Sequence, residues 1–426
     1  MSHSFFVPCP RGLEEALAAE LREIAARPEV VRHAPFAVHA GQTGGVAFSG
    51  VPAAAYAVNL HARIANRVLL RLAAQGYRSE NDIYGLALAQ RWEEHITPDQ
   101  TIRVDVTAHQ SPLRSLNFTA LRIKDGICDR MRDKRGARPS VDTASPDARI
   151  FAHLTATDCT LYLDTSGDPL FKRGWRLEKG EAPLKETLAA GILRLSGWQP
   201  EQPFYDPMCG SGTFLIEAAQ IALNNAPGAG RSFAFEWLGG FQPAAWQALR
   251  DAEAAGRRKL QPLLIAGSDI STDMLAITHD NWARAGLPGA APLKQVDARF
   301  VKPPFDIPGV LLMNPPYGSR IAVRGARRAR PNEQPDEALE AAPMNPREEE
   351  AANQFASAFA TTLKQHFAGW TAYIFTGDLS LPRRMRLKES RRTPLFNGPI
   401  ECRLFRFEMV RGGMRNDSPA EEQPAR

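Results

Sequence analysis

The sequence has few cysteines, and they lie far apart. Five occur in 426 residues, and none stands beside another cysteine or a histidine at the spacing of metal ligands. We therefore predict no metal site, no disulfide framework and a reducing compartment. The five are Cys9, Cys128, Cys159, Cys209 and Cys402.

Long apolar runs and a strong charge excess are also missing. No stretch reaches the roughly 20 apolar residues that a membrane-spanning helix needs. The apolar start at 5–7 is cut short by Pro8 and Pro10, so we expect no signal peptide. We thus expect a cytoplasmic protein with no membrane partner. The net charge of +5 gives only mild support for a polyanionic partner.

The chain changes character near residue 200. Residues 1–60 and 61–165 mix short strands with helices and predict an α+β region. Beyond residue 200, apolar strands alternate with helices, which predicts a parallel sheet covered on both faces. Compositional bias predicts a mobile insert at 320–350 and a disordered tail at 412–426.

The most informative segment is Asp206-Pro207-Met208-Cys209-Gly210-Ser211-Gly212-Thr213, between an apolar strand and a helix. Glycines let a ligand approach the backbone closely, and the N-terminus of the helix attracts a carboxylate. An acid at the strand end would repel a pyrophosphate, so the pattern favours a zwitterionic ligand whose amino group meets Asp206. The alternative is a glycine-rich turn with only a structural role.

Two more acids follow strand-like segments. Asp269 ends an apolar strand, where a carboxylate can accept hydrogen bonds from both ribose hydroxyls. Asp297 is placed to accept from an adenine amine. A single aspartate at a strand end more often caps a helix, but three after successive strands suit an adenosine joined to an amino acid.

A second motif, Asn314-Pro315-Pro316-Tyr317-Gly318, also follows a strand. The prolines fix the backbone, so the Asn314 side-chain oxygen and the Pro315 carbonyl could accept both hydrogens of an exocyclic base amine and free its lone pair. Tyr317 would stack on the base, which is worth roughly 1–3 kcal/mol. Transfer then needs positioning and no metal or covalent nucleophile. A rigid Pro-Pro turn is the alternative.

These two motifs resemble motifs I and IV of class I S-adenosylmethionine-dependent N-methyltransferases. Other segments look like parts of THUMP-containing RNA guanine-N2 methyltransferases of the bacterial 23S ribosomal RNA type, in the same order along the chain. They are the opening strand and helix at 6–14, a THUMP helix at 116–132, a linker at 172–176, a first catalytic helix at 182–190 and a C-terminal hairpin at 396–402.

The resemblance implies an α/β fold: a Rossmann-like class I methyltransferase domain at 169–411 behind an N-terminal α+β RNA-binding region. That region would comprise a ferredoxin-like domain at 1–60 and a THUMP domain at 61–168. The implied catalytic residues are Asn314, Pro315, Pro316 and Tyr317. The residues expected to bind S-adenosylmethionine are Asp206, Pro207, Cys209, Gly210, Gly212, Thr213, Asp269, Ile270, Asp297 and Asn314.

The implied reaction methylates the N2 amine of a guanine in 23S ribosomal RNA, free or in a precursor particle. Basic clusters are often only solvated faces, but beside a base-modifying domain they suggest contacts to phosphates. The target base must leave any helix to be modified. The expected RNA-binding residues are Arg114, Arg122, Lys124, Arg130, Arg132, Lys134, Arg135, Arg138, Arg384 and Arg386.

Four alternatives remain open from the sequence. The Asn-Pro-Pro-Tyr motif also serves DNA adenine-N6 methylation and the methylation of a protein glutamine. Methylation of a guanine in transfer RNA is a further alternative. A non-catalytic RNA-binding factor for ribosome assembly belongs to another class, and the intact glycine loop argues against it.

Overall fold

A computed structural model describes residues 2–176, 184–259, 262–315 and 346–410. Most of the predicted insert at 320–350 and all of the predicted tail at 412–426 lie outside these residues. The described chain forms two sheets, one of eight strands in the first 164 residues and one of seven strands after residue 203.

The first sheet has the strand order β2-β3-β1-β4-β8-β7-β5-β6. Neighbouring strands are antiparallel except β5, which runs parallel to both β6 and β7. Since β1 pairs with both β3 and β4, the sheet continues across the boundary expected near residue 60. The strands are β1 His3–Pro8, β2 Phe36–Gln42, β3 Gly45–Gly50, β4 Leu69–Gly76, β5 Thr101–Ala108, β6 Ser140–Val141, β7 Ala148–Leu154 and β8 Asp158–Asp164.

Amphipathic helices cover this sheet. In the first helix, Leu17, Leu21 and Ile24 recur at helical spacing and are buried. The long helix α5 begins after Ser115, whose hydroxyl accepts from the main-chain N–H of Phe118, and ends before a glycine with positive φ. The helices are α1 Glu14–Ala25, α2 Pro28–His33, α3 Ala54–His61, α4 Glu80–Ala89 and α5 Leu116–Arg135, with a 3-10 turn at Trp92–Glu94.

The second sheet has the order β11-β10-β9-β12-β13-β15-β14. Strands β9 to β13 are parallel, and β15 runs antiparallel to β13. The C-terminal hairpin suggested by the resemblance is formed by β14 and β15. The strands are β9 Phe204–Asp206, β10 Ile265–Asp269, β11 Leu293–Gln295, β12 Val310–Met313, β13 Thr371–Thr376, β14 Arg391–Asn397 and β15 Ile400–Glu408.

Helices follow the parallel strands, as the alternating pattern predicted. The expected helices at 213–223 and 351–367 are present within a residue or so of their predicted ends, apart from the earlier start of the second. They are α6 Glu186–Ser196, α7 Thr213–Ala222, α8 Pro243–Ala255, α9 Thr272–Arg284, α10 Pro346–His366 and α11 Leu381–Met385, with 3-10 turns at Ala234–Glu236 and Ala298–Phe300.

A shared core joins the two sheets. Leu13, before α1, packs so closely on α6 that a Cβ on Gly191 would lie 2.2 Å from its side chain. Beside it, Glu217 of α7 is fully buried and pairs with Arg63 at 3.4 Å and with Arg173 at 3.1 Å. The N-terminal region is therefore packed directly against the helix that follows β9.

Candidate functional site

The order of the second sheet creates a crevice at the carboxyl end of β9. The chain moves outward from β9 to β10 on one side and to β12 on the other, which is the topological switch point where open α/β sheets bind ligands. Asp206 pairs in register with Gly267, so Asp269 lies two residues further along the neighbouring strand. On the other side Tyr205 pairs with Leu311. The two sequence motifs thus meet at one edge.

The glycine loop adopts the conformation that its sequence predicted. Gly210 and Gly212 have φ of 51° and 82°, which residues with a side chain rarely adopt. No atom of the described residues lies within 4 Å of a Cβ built on Gly210, whereas one on Gly212 would come within 2.6 Å of Thr278. Gly210 therefore borders open space in which a ligand could touch the backbone, and Gly212 allows close packing against α9.

Helix α9 holds the loop through two side chains that the sequence analysis did not identify. The Thr278 hydroxyl donates to the carbonyl of Gly210 at 2.6 Å, and the Asn281 amide donates to the carbonyl of Ser211 at 3.0 Å. Both side chains are fully buried. These two bonds anchor the backbone of the loop, so its conformation is fixed by contacts within the protein.

Asp269 binds the loop from the β10 side. Its carboxylate accepts from the N–H of Gly210 at 2.9 Å and from the N–H of Ser271 at 3.0 Å. Each carboxylate oxygen has more than one lone-pair direction, so capacity remains for further donors. A role toward ribose hydroxyls stays a prediction, and the structure adds that this side chain also shapes the glycine loop.

Asp206 is a buried acid without a cationic partner among the residues that the structure describes. It is 2% exposed and accepts from the main-chain N–H of Met208 at 3.0 Å. Burial raises the pKa of Asp206 well above its usual value, and the negative charge of nearby Asp269 raises it further. Among the described residues, this edge carries two carboxylates and no cation paired with them, which fits a ligand that brings a positive charge.

A hydroxyl network fixes the start of the loop. Tyr205 and Ser268 share a hydrogen bond of 2.7 Å, and the Ser268 hydroxyl lies 3.2 Å from the carbonyl of Pro207. The main-chain N–H of Cys209 donates to the Ser268 carbonyl at 2.9 Å. Burial raises the pKa of the Cys209 thiol, so this cysteine stays a neutral packing group rather than a nucleophile.

Thr213, the first residue of α7, contacts an arginine from the linker. The Arg176 guanidinium hydrogen-bonds to the Thr213 hydroxyl and pairs with Glu186 at 3.1 Å. Both charged side chains are almost completely buried. The linker is thereby tied to the N-terminus of the helix that follows the glycine loop.

The part of the site that is expected to bind adenine is more exposed to solvent. Ile270 is 63% exposed at the end of β10, and its carbonyl accepts from the Gln295 amide at 3.2 Å. Asp297 caps the 3-10 turn by accepting from the N–H of Arg299 at 2.9 Å, and its carboxylate also pairs with that arginine. Phe300, which the sequence analysis did not select, is 72% exposed beside them. Binding of an adenine by Asp297 remains a prediction.

The second motif is described only in part. Asn314 is half-buried and Pro315 is buried, directly after the fully buried strand β12. Pro316 and Tyr317 lie outside the described residues. The predicted use of Asn314 and Pro315 as acceptors for a base amine is therefore compatible with their place at the crevice and remains a prediction.

The predicted RNA-binding cations differ in their surroundings. Within the described chain, several on α5 have acidic partners: Arg130 pairs with Glu93, Arg132 with Asp129, and Lys124 with Asp125. Arg122, Lys134 and Arg135 also have acceptors nearby. Arg114 and Arg138 are exposed and have no ion pair in the part of the chain that is described.

The last two of the predicted RNA-binding residues, Arg384 and Arg386, also differ in their surroundings. Arg384 is largely buried between Asp378, at 3.2 Å, and the end of α10, where its guanidinium bonds to Asn353 at 2.6 Å. Arg386 ends α11 with a left-handed backbone conformation. Their contact with RNA remains a prediction, although Arg384 plainly has a packing role.

Among the described residues, no cluster of three or more histidine, cysteine or acidic side chains is arranged to hold a metal ion. No helix in the same part of the chain is long and apolar enough to cross a membrane. All five cysteines are buried and unbridged.

Three family models match successive parts of the chain. They are a ferredoxin-like domain named RlmL_1st at residues 4–69, a THUMP domain at 77–164 and an RMKL-like methyltransferase domain named UPF0020 at 173–329. The order and the domain types are those that the sequence resemblance implied.

Similar proteins cover nearly all of the chain. A Synechocystis protein named "Putative RNA methyltransferase slr0064" is 36% identical over 95% of this chain and 96% of its own length. The "Ribosomal RNA large subunit methyltransferase K/L" of Psychromonas ingrahamii is also 36% identical, but this chain spans only 50% of that relative's length. The crystal structure of SMU.472 complexed with SAH is 26% identical, covers 97% of this chain and 99% of its own, and superposes with a TM-score of 0.79.

Proposed function

The chain belongs to the family of THUMP-containing, S-adenosylmethionine-dependent RNA methyltransferases that includes the Synechocystis protein, and we propose that it methylates the exocyclic N2 amine of a guanine in 23S ribosomal RNA. The observation that carries this proposal is the meeting of Asp206, Gly210 and Asn314 at one sheet edge, where a cationic methyl donor and a base amine would face each other.

The residues fit the cofactor by charge and by space. S-adenosylmethionine supplies a methyl group activated by a positive sulfur. Asp206 offers a buried negative charge for the cofactor's amino group, and the open space above Gly210 admits its amino acid portion. The N-terminus of α7 favours the carboxylate. Asp269 would accept from the ribose hydroxyls and Asp297 from the adenine amine.

Asn314 and Pro315 would act on the second substrate. A guanine N2 amine is a poor nucleophile because its lone pair is shared with the ring. Two acceptors that hold both hydrogens keep that lone pair directed away from them and toward the methyl group. The protein then accelerates transfer mainly through alignment, as expected for a reaction between two bound partners. Tyr317 would support the flat base by stacking.

The choice of 23S ribosomal RNA rests on the relatives named for the large ribosomal subunit, of which this chain spans about half. The basic α5 and the THUMP domain support an RNA substrate rather than DNA or a protein glutamine. A ribosomal precursor would serve as well as free RNA in this chemistry, since only an accessible guanine is needed.

The proposal is tested by incubating the purified chain with labelled S-adenosylmethionine and deproteinised 23S RNA, transfer RNA or DNA. We expect label in 23S RNA and N2-methylguanosine after nuclease digestion. The matched control is 23S RNA transcribed with inosine in place of guanosine, because inosine lacks the N2 amine and should take no label. N6-methyladenine in DNA, or label in inosine RNA, would contradict the proposal.

A further inference from the structure

A large cleft separates the THUMP region from the methyltransferase domain, away from α5. It has a volume of about 900 Å³, enough for more than one nucleotide. Residues 144–147, 149 and 166–168 form the THUMP wall, residues 171, 172, 174 and 176 form the linker wall, and residues 185, 186, 231, 232 and 237 form the methyltransferase wall. We refer to these residues as the interdomain cleft.

The cleft carries more positive than negative charge. Five cations and three carboxylates line it, a net excess of two. The carboxylates are engaged: Asp147 accepts from the main chain and hydroxyl of Thr101, Asp168 pairs with Lys172, and Glu186 pairs with the buried Arg176. The cations are Arg149, Lys172, Arg176, Lys185 and Arg231.

Two of the cations form no ion pair with a carboxylate among the residues that the structure describes. Arg231 donates to main-chain carbonyls of the THUMP wall and linker, including that of Asp168 at 2.6 Å. Lys185 is exposed, and its ammonium lies 5.1 Å from the ring centre of Phe171. Asp168 and Asp164 lie close enough to Arg231 to offset part of its charge. The positive potential that the cleft presents to a phosphate therefore comes mainly from Lys185 and from the excess of cations over carboxylates in its lining.

Aromatic surface is also available. Trp237 is 47% exposed, and its indole N–H donates to the carbonyl of Asp147 at 3.0 Å, so the ring is held across the two walls. Phe171 is half-buried under Lys185. Exposed aromatic rings beside cationic side chains are typical of sites that bind single-stranded nucleic acids.

The cleft extends to the catalytic domain's cofactor helix. Arg176 lines it and also contacts the hydroxyl of Thr213, at the N-terminus of α7. Arg176 therefore connects the cleft to the start of the helix that follows the glycine loop. An unpaired strand is also the form of RNA that has free base faces for stacking.

We propose that the interdomain cleft binds a single-stranded segment of the RNA substrate, with a base stacked on Trp237 and phosphates beside Lys172 and Lys185. This inference rests on the proposed RNA substrate and adds a binding surface separate from the basic helix α5. It makes the junction of the two regions, rather than the THUMP region alone, the place where RNA is held next to the active crevice.

The test measures binding of the full chain to fluorescein-labelled single-stranded oligouridine across a salt titration. Trp237→Ala should weaken binding on the order of tenfold, whereas Trp237→Phe, which keeps a ring but loses the indole hydrogen bond, should bind nearly as the unaltered protein does. Lys185→Ala should lower the slope of log affinity against log salt by about 0.7. Lys172→Ala should lower it less, because Asp168 already offsets the charge of Lys172.

Lys364→Ala is the matched control, since Lys364 is exposed on α10 and lies outside the cleft. S-adenosylmethionine binding, measured by calorimetry, should be unchanged in every cleft variant and reports correct folding. The inference would be overturned if the cleft variants bound oligouridine with the same affinity and salt slope as the unaltered protein. It would also be overturned if the variants lost binding only to intact ribosomal particles, because that result would indicate a protein partner in the cleft.

The two proposals fail in different ways. If the unaltered protein methylates 23S RNA while the cleft variants bind oligouridine normally, the cleft inference falls and the function stands. If oligouridine binding depends on Trp237 and the lysines but 23S RNA takes no label, the proposed function falls and the cleft remains an RNA-binding site.

Discussion

The crevice at β9 and the basic helix α5 differ in whether their charged side chains are paired with opposite charges. In the crevice, Asp206 is buried and finds no cation in the described chain, although burial opposes its ionisation. On α5 the charges are more numerous and more exposed, yet Arg130 and Arg132 are already paired with nearby acids. Unmatched charge therefore marks a ligand site more clearly than a count of charged residues does.

The same difference indicates which basic side chains are available to bind a phosphate and which are engaged in contacts within the protein. Paired surface cations gain little from their partners, typically below about 1 kcal/mol, but they must give up that partner or share it to contact a phosphate. Arg114, Arg138 and Lys185 face no such competition among the described residues. Substitutions of paired and unpaired groups test whether an unpaired charge indicates a ligand site better than the number of charged residues does.

The largest expected effect concerns Asn314. Asn314→Leu keeps a similar volume and removes the acceptor, so methyl transfer should fall at least about 100-fold because the amine is no longer aligned. Cofactor affinity should fall far less than the rate of transfer, because Asn314 is only one of the residues expected to bind S-adenosylmethionine. Asn314→Asp, which retains an acceptor oxygen, is the matched control and should keep part of the activity. Single-turnover transfer of labelled methyl and calorimetry give the two readouts. Full activity in Asn314→Leu would remove the catalytic assignment.

The next effect concerns the buried charge of Asp206. Its pKa in the folded chain is raised above the ordinary value of 3.8. The stability of the cofactor-free protein therefore falls as pH rises from the ordinary pKa through the raised one. Asp206→Asn should remove this loss, so the free energy of unfolding of the cofactor-free variant should fall less between pH 5 and pH 8 than that of the unaltered protein.

The same substitution should weaken S-adenosylmethionine binding on the order of tenfold, because the positive amino group loses its charged partner. Urea denaturation at pH 5 and pH 8 gives the stability difference, and calorimetry gives the affinity. Asp273→Asn, in the exposed first turn of α9, is the control. Equal cofactor affinity in Asp206→Asn and the unaltered protein would show that the buried charge does not meet the ligand.

A smaller effect is expected at Thr278. Thr278→Val removes the hydroxyl that donates to the Gly210 carbonyl but keeps the methyl group packed on Gly212. One hydrogen bond contributes about 1 kcal/mol, so the KM for S-adenosylmethionine should rise roughly fivefold with little change in kcat. Thr278→Ser restores the donor and should restore KM. A fall in kcat at unchanged KM would contradict a role in shaping the cofactor loop.

The sequence was a good guide to the crevice because parallel strands place their carboxyl ends together. The apolar segments at 204–205 and 310–313 predicted buried strands, and the acids and glycines that follow them needed no other information to be brought to one edge. Contacts between distant segments had no such signal. Thr278 and Asn281 lie some 70 residues from the loop they support, on a helix whose sequence only shows amphipathic spacing.

The basic region shows the same limit. Arg130 stands in a run of cations, but its partner Glu93 lies 37 residues earlier and meets it only after α5 packs on the 3-10 turn. The interdomain cleft likewise combines segments from 144 to 237 that share no local pattern. Local spacing predicts which side chains share a strand end or a helix face, whereas neutralisation of charge depends on packing.

The smallest expected effect tests this point directly on RNA binding. Arg138 and Arg132 are both exposed arginines, but only Arg132 has an acidic partner in the described chain, Asp129 at 2.7 Å. Arg138→Ala should weaken 23S RNA binding a few-fold and lower the salt slope by about 0.9, the value for one phosphate contact on a duplex. Arg132→Ala should change both quantities less, because Asp129 already offsets its charge. Filter binding across a salt titration measures both. Equal effects from the two substitutions would mean that the ion pairs on α5 break at little cost when a phosphate binds. The distinction between paired and unpaired charge would then hold only in the buried crevice.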